Sequence, residues 1–529
     1  MDQSAISRPS EVPVITGFQS ILYHGAPPGE SALRDQPPDY FVDLNLDQVV
    51  DAVTTGKEEY VLKPFFYTPL RNIAHVGYRQ AVLRDLENAL LVGRIGAFAN
   101  GMRSIRQRLP NPQNTYYRYQ RERFFLEAAE MYCRVVVELG KGLRTLELQS
   151  AGLHAFRDFL TGYLSSPAFL LLREEAGALL ADLSGIEYGV YTRELQVQVR
   201  RPGPEVDYNE EIERLFGKFK REGTRAQLDR SEPREKTDGM NHVEARILEG
   251  VATLFPGIFQ RLDEFCERHL AFMDERIVRF DREIQFYIAY LDHTGKIKEG
   301  GLPFCYPEMS DKDKEIFDAE GFDLALAYKL TKEGQRIVTN DLSFGRQERI
   351  IVVTGPNQGG KTTFSRTFGQ LHYLAALGLT VPGVRAKLFL FDRLFTHFER
   401  AEKAKDLRSK LEDDLVRLHD ILTGATSRSV VILNEILSSA TLQDAIYLSG
   451  KIMERIDQLD ALCVWVTFID EIIWKSGKTV SMVSEMEPGN LAVRTFKVVR
   501  KPADGLAYAL AIAEKYRVTY HDLQKRLSS

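Results

Sequence analysis

The residues Gly355-Pro356-Asn357-Gln358-Gly359-Gly360-Lys361-Thr362 fit the pattern GxxxxGK[ST] in full. Glycines at these positions let backbone N–H groups converge on phosphate oxygens, and a following helix adds the positive end of its dipole. Lys361 would reach the outer phosphates and Thr362 would offer its hydroxyl to Mg²⁺. Together with Thr363 these residues are the candidate site for ATP and Mg²⁺. The apolar run Ile350–Val353 directly before the loop and a helical segment directly after it, Thr363 to Leu377, are the context such a loop needs.

A second constellation is Val430-Val431-Ile432-Leu433-Asn434-Glu435, an apolar strand ending in a polar pair. In phosphate-transferring enzymes with such a loop, the strand end holds Mg²⁺ and positions the attacking water. An aspartate is expected at Asn434. The amide oxygen still accepts a hydrogen bond from a water on Mg²⁺ but adds no charge. Glu435 is the candidate catalytic residue, beside Lys361. A third constellation is Leu407-Arg408-Ser409-Lys410-Leu411-Glu412, which opens a helical stripe through Leu415, Leu418 and Leu422. Ser409 and Glu412 satisfy a capping box, which by itself describes a well-started helix. The same serine and helix start also suit a γ-phosphate, so Ser409 and Lys410 are candidate nucleotide contacts from a second subunit.

These motifs need a scaffold. After about Gly345, short apolar runs (Ile350–Val353, Val430–Leu433, Leu462–Val466) alternate with helical segments, which predicts a mainly parallel sheet with helices on its faces. Upstream, apolar residues at helical spacing predict a long helix between Tyr116 and Leu148, and another long helical stretch from Val243 to Leu291, broken at Pro256. Between them Glu194–Val199 alternates like a strand, and a balanced, highly charged stretch from Glu210 to Lys236 reads as solvated surface. The expected domains are an extended proline-rich arm (1–40), a helical core and lever domain (41–300), a connecting segment (301–345) and an α/β P-loop domain (346–529). Helices of this length suggest a bundle with arms or levers.

With 529 residues, 44% hydrophobic and 27% charged, the chain has the composition of a multi-domain globular protein. A net charge of −5 argues against a surface uniformly basic for nucleic acid, while leaving room for a local groove. Four scattered cysteines form no CxxC pair and the histidines show no HxxxH or HExxH spacing, so neither a zinc site nor a disulfide framework is expected. The polar start and the absence of a long apolar run predict a cytoplasmic protein without a membrane partner.

In order and sequence these elements resemble the ATPase domain of the MutS family of DNA mismatch repair proteins, a branch of the ABC-type ATPases. The resemblance opens at Thr339-Asn340-Asp341, which makes Asn340 a nucleotide contact by implication. It runs through Thr354 to Thr362, where the family usually has methionine and serine at Gln358 and Thr362. It continues at Val381-Pro382, Ala386, Asp392, Phe395-Thr396, Ala425 to Ser429, Tyr508, Ile512 and Ala513. Upstream, Pro69-Leu70-Arg71-Asn72-Ile73 with Arg79-Gln80 is similar to the segment entering the MutS core. The resemblance implies a helical core and lever domain, an ABC-type ATPase domain, a homodimer whose two sites share the Ser409 region, and DNA as the polymer. Three departures qualify it. No mismatch-reading domain or Smr-type tail is recognisable. The family's switch histidine falls near Phe468. The signature has Lys410 and Leu411 where threonine and phenylalanine are usual.

The expected function is therefore an ATP-dependent dimeric switch that clamps DNA without reading mismatches itself, an ATPase with slow turnover. The alternative is a slow or non-hydrolysing nucleotide-gated scaffold for RNA, the ribosome or a protein. A small-molecule kinase would leave the long helices unexplained.

Overall fold

The computed structural model describes residues 17–29, 32–109, 117–193, 196–203, 240–399, 410–487, 490–503 and 518–527. The charged stretch 210–236, Ser409 and the Tyr508–Ala513 match lie outside these residues. The chain forms two compact units, one of residues 1–18, 86–148 and 154–281, the other of residues 19–85, 149–153 and 282–529.

Among its described residues the first unit is helical apart from one hairpin. Its long helix Arg118–Arg144 falls where periodicity predicts one, and it buries the face carrying Ala129, Tyr132, Val136, Leu139 and Leu143. Phe156 and Phe280 stack with ring centroids 3.6 Å apart, and Phe18 meets Phe156 edge-on at 4.9 Å. The predicted strand around residues 194–199 belongs to an antiparallel hairpin of β1 (Gly189–Arg193) and β2 (Gln196–Arg200). The stretch predicted from Val243 to Leu291 is three helices, His242–Leu254, Pro256–Arg268 and Glu275–Glu299. Pro256 starts the second, as a proline at a first helical position does. The further break comes from Asp274, whose carboxylate accepts the Arg276 N–H at 2.9 Å while its carbonyl accepts that of Ile277, so that a new helix nucleates there.

The second unit holds the sheets. Its strands are β3 (Phe304–Cys305), β4 (Glu308–Ser310), β5 (Ile316–Gly321), β6 (Asn340–Phe344), β7 (Ile350–Thr354), β8 (Val381–Pro382), β9 (Arg385–Phe389), β10 (Leu394–Phe398), β11 (Val430–Asn434), β12 (Leu462–Val466), β13 (Thr479–Glu487) and β14 (Asn490–Arg500). The main sheet has the order β10-β11-β12-β7-β13-β14. Its pairings are parallel except for β14, which runs antiparallel to β13. The three predicted runs are its central strands β7, β11 and β12, buried along their whole length as strands covered on both faces must be. On one face Val352, Leu433 and Trp465 pack with Met453 and Ile456 from the helix Leu442–Leu459. A smaller sheet, β4-β9-β5-β6, carries Asn340 at the start of β6, and β3 pairs with β8.

Near the start of the chain, the segment around Ser20 is tied down. The Ser20 hydroxyl and the Ile21 N–H both donate to the Glu283 carboxylate, at 2.9 and 2.8 Å, and Ile21 and Leu22 are fully buried. Among the described residues no helix is long and apolar enough to cross a membrane.

Candidate functional site

In a sheet of parallel strands, the crevice at the carboxyl ends is where ligands bind. There β7 ends at Thr354 and the helix Lys361–Ala376 begins, so the glycine-rich loop bridges a strand end and a helix start. Gly355 and Gly360 take φ of +121° and +95°, which only glycine adopts without strain. Gln358, at the position where a methionine is usual, also sits in the left-handed region at +59°. The loop is braced from outside. Ser484 of β13 donates its hydroxyl to the Gly359 carbonyl at 2.6 Å, and Arg494 Nε of β14 donates to the Asn357 carbonyl at 2.8 Å. A Cβ on Gly359 would lie 2.3 Å from the Ser484 oxygen, so the glycine is what allows that approach. Thr362 and Thr363 stand in the first helical turn, whose N–H groups have no partner within the helix.

Lys361 is 3% exposed. Its ammonium donates to the carbonyls of Gly355 at 2.9 Å and Pro356 at 3.0 Å. Glu435 Oε1 stands 4.0 Å away, and the ring of Phe468 covers the amine at 4.2 Å from its centroid. Burial pulls the Lys361 ammonium down to about 8, with Glu435 acting in the opposite direction. Burial also pushes the Glu435 carboxyl up, Lys361 opposes this and Glu399 adds to it. Glu435 leaves the end of β11 in a left-handed conformation, φ +54°, and its N–H donates to the Val466 carbonyl at 2.9 Å. Asn434 is 6% exposed, and its Oδ1 is a buried acceptor without a partner among the described residues.

The sequence candidates thus divide. Lys361 and Glu435 meet directly, with Phe468, the residue at the expected histidine position, laid over the amine. Asn340 reaches the same region from β6, but its amide is taken up by β14: Nδ2 donates to the Phe496 carbonyl at 3.2 Å and Oδ1 accepts the Val498 N–H at 2.8 Å. Lys410 pairs with Glu399, and Glu399 also accepts the Ser438 hydroxyl at 3.1 Å, just beyond Glu435. A second tie runs parallel to it. Asp414, in the helix Lys410–Gly424, hydrogen-bonds buried His397 at 2.9 Å and accepts the Leu437 N–H at 3.3 Å. The helix start and the turn carrying Glu435 are therefore held together twice. His397, Glu399, Ser484 and Arg494 have no local motif in the sequence, and Asp414, which follows Glu412 in the helix-start constellation, has no cue to its partner there. Among the described residues no group of three or more His, Cys, Asp or Glu side chains could hold a metal alone.

Residues 351–518 match the family model for MutS domain V. This region is similar to MutS domain V. The chain is 34% identical over 187 residues to the DNA mismatch repair protein MutS of Zymomonas mobilis, covering 35% of this chain and 22% of that protein. It is 29% identical over 219 residues to MutS of Ruminiclostridium cellulolyticum (40% of this chain, 25% of that protein). It is also 29% identical over 187 residues to MutS of Thermotoga maritima (34% and 23%). The chain thus spans about a quarter of the length of these relatives.

Proposed function

We propose that this chain binds ATP with Mg²⁺ at residues Gly355–Thr363, hydrolyses it slowly, and uses the nucleotide state to switch a homodimer that clamps DNA. The carrying observation is Lys361, a buried cation whose nearest carboxylate among the described residues is 4.0 Å away, beyond hydrogen-bonding distance. An ammonium taken out of water needs a counter-charge, and a triphosphate in the loop is the ligand whose charge fits it. Asn434 Oδ1, buried and without a partner among the described residues, fits a water on Mg²⁺, and Thr362 in the first helical turn would offer its hydroxyl. Mg²⁺ would supply charge neutralisation at the phosphates.

The protein's own residues then divide the work. The loop N–H groups and Lys361 orient the phosphates and exclude water from one side. Glu435, its carboxyl raised by burial, is suited to accept a proton from an attacking water held at the strand end. Neutral Asn434 gives the metal one carboxylate fewer, which favours binding over turnover. The paired ties from the Lys410–Gly424 helix to the Glu435 turn give a second subunit, reaching the site through Ser409 and Lys410, a mechanical route to the catalytic carboxylate. Asn340 contributes as a wall of the site through its hold on β14.

Single-turnover hydrolysis tests the proposal. Wild type should hydrolyse slowly, Asn434→Asp faster, and Glu435→Ala not measurably, with the ATP-bound dimer accumulating in light scattering. An undiminished rate in Glu435→Ala would remove Glu435 from the mechanism. A monomer at every concentration with ATP would remove the shared site.

A further inference from the structure

At the opposite end of the main sheet, where β10 and β11 begin, lies a cavity of about 370 Å³ lined by Arg34, Tyr40, Pro69, Arg71, the turn Phe391–Arg393 and the first residues of β10. Three arginines line it from three separate chain segments, and each segment is fixed. The Arg34 N–H donates to Thr68 Oγ1 at 3.0 Å. The Leu70 N–H, next to Arg71, donates to the Ala376 carbonyl at 2.8 Å. The Arg393 carbonyl accepts the Val430 N–H at 3.0 Å, and its guanidinium donates to the Gly424 carbonyl at 2.9 Å.

The charges do not cancel. The guanidiniums of Arg34 and Arg71 make no hydrogen bond or ion pair with the described residues, and both act on the phenol of Tyr40. The one acidic lining residue among the described residues, Asp392, is already committed, because Oδ2 accepts the Thr426 hydroxyl at 2.6 Å and Oδ1 that of Ser429 at 3.0 Å. Burial pushes the Tyr40 phenol up to about 12, so at neutral pH it is an O–H donor and not a further anion. In a chain of net charge −5, three cations gathered around one recess with a single spent acid is a local inversion of the molecule's charge.

We infer that this cavity binds a small phosphate-bearing ligand, of the size of pyrophosphate or a nucleoside monophosphate, at a site separate from the glycine-rich loop. Planar guanidinium forks match phosphate oxygens in pairs, and donors carried on three separate segments suit a tetrahedral group better than a flat carboxylate. The volume exceeds that of one phosphate and lies in the range of small-ligand sites. Pro69 and the buried Phe391 offer an apolar surface for whatever the phosphate is attached to.

The test uses the full chain carrying Lys361→Ala, so that the loop does not contribute. Inorganic pyrophosphate, AMP and malonate are titrated by calorimetry. Pyrophosphate or AMP should bind at one site per chain, and malonate at least tenfold more weakly. The double variant Arg34→Gln/Arg71→Gln should lose roughly tenfold or more in affinity per guanidinium, while Arg134→Gln, an exposed arginine of the other unit, should not change it. Arg393→Gln on its own gives a second reading should the double variant fold poorly by circular dichroism. Absence of pyrophosphate and AMP binding, or binding indifferent to all three arginines, would overturn the inference. Either result is independent of ATP binding at the loop.

Discussion

Phe468→Ala isolates the contact that most distinguishes this site. The ring lies 4.2 Å over the Lys361 ammonium. A contact of this kind is worth about 0.5–2 kcal/mol, more when desolvated. It holds the amine against its own loop carbonyls, away from a phosphate, so displacing it is a cost of nucleotide binding. Without the ring that cost disappears, and ATP should bind roughly two- to thirtyfold tighter. A pH dependence accompanies it. Lys361 titrates at about 8 in the free protein, below its ordinary 10.5, and phosphates favour the ammonium form. Affinity should be flat below about pH 8 and then fall by up to tenfold per pH unit until the pKa of the bound state is reached. In Phe468→Ala the amine gains water and the break should move to higher pH. Without nucleotide the sign reverses: the folded state carries fewer protons on Lys361 than the unfolded state between pH 8 and 10.5, so this group's contribution to stability rises with pH across that window. Fluorescent-nucleotide titration from pH 6.5 to 9.5 reads both effects. Unchanged or weaker binding by Phe468→Ala, with the break unmoved, would refute the reasoning.

Two further changes test the frame. Asp414→Ala leaves buried His397 and the Leu437 N–H without their acceptor and should destabilise the protein by about 2–3 kcal/mol in urea melts; a loss within error would mean that the tie to the Glu435 turn carries no energy. Asp318 is 2% exposed, neither carboxyl oxygen has a partner among the described residues, and burial pushes it up to about 9. The folded state therefore favours the neutral acid. Its contribution is greatest below the unfolded value of 3.8 and is lost as pH rises through about 9. Asp318→Asn, neutral at every pH, should raise Tm relative to wild type by an amount that grows from pH 5 to pH 8, and a pH-independent difference would contradict this.

The loop was legible because its signal is local. Strand, glycines, lysine and helix follow one another, and Gly355 and Gly360 take positive φ that glycine adopts without strain. The strand ending in Asn434-Glu435 was legible for the same reason, since a buried parallel strand is a continuous apolar run. The contacts that set the chemistry were not. Phe468 and Lys361 are far apart in sequence and meet only because β12 lies beside β7. Ser484 and Arg494 brace the loop from β13 and β14, strands whose mixed polarity gives no apolar run to notice. The helix break at Asp274 had a visible cue, an aspartate before a helical repeat, but the apolar periodicity continued across it and masked it. Asn340 shows the limit of resemblance: the residue type matches, yet its amide is occupied by the backbone of β14.

The central claim is that Lys361 in its loop is the ATP phosphate site, and calorimetric titration of Mg·ATP into wild type and Lys361→Ala tests it most directly. Wild type should show saturable binding that the variant loses by roughly a hundredfold, as removal of a charge-assisted contact in a buried site implies. Equal affinities in the two proteins, or no binding by wild type, would contradict it.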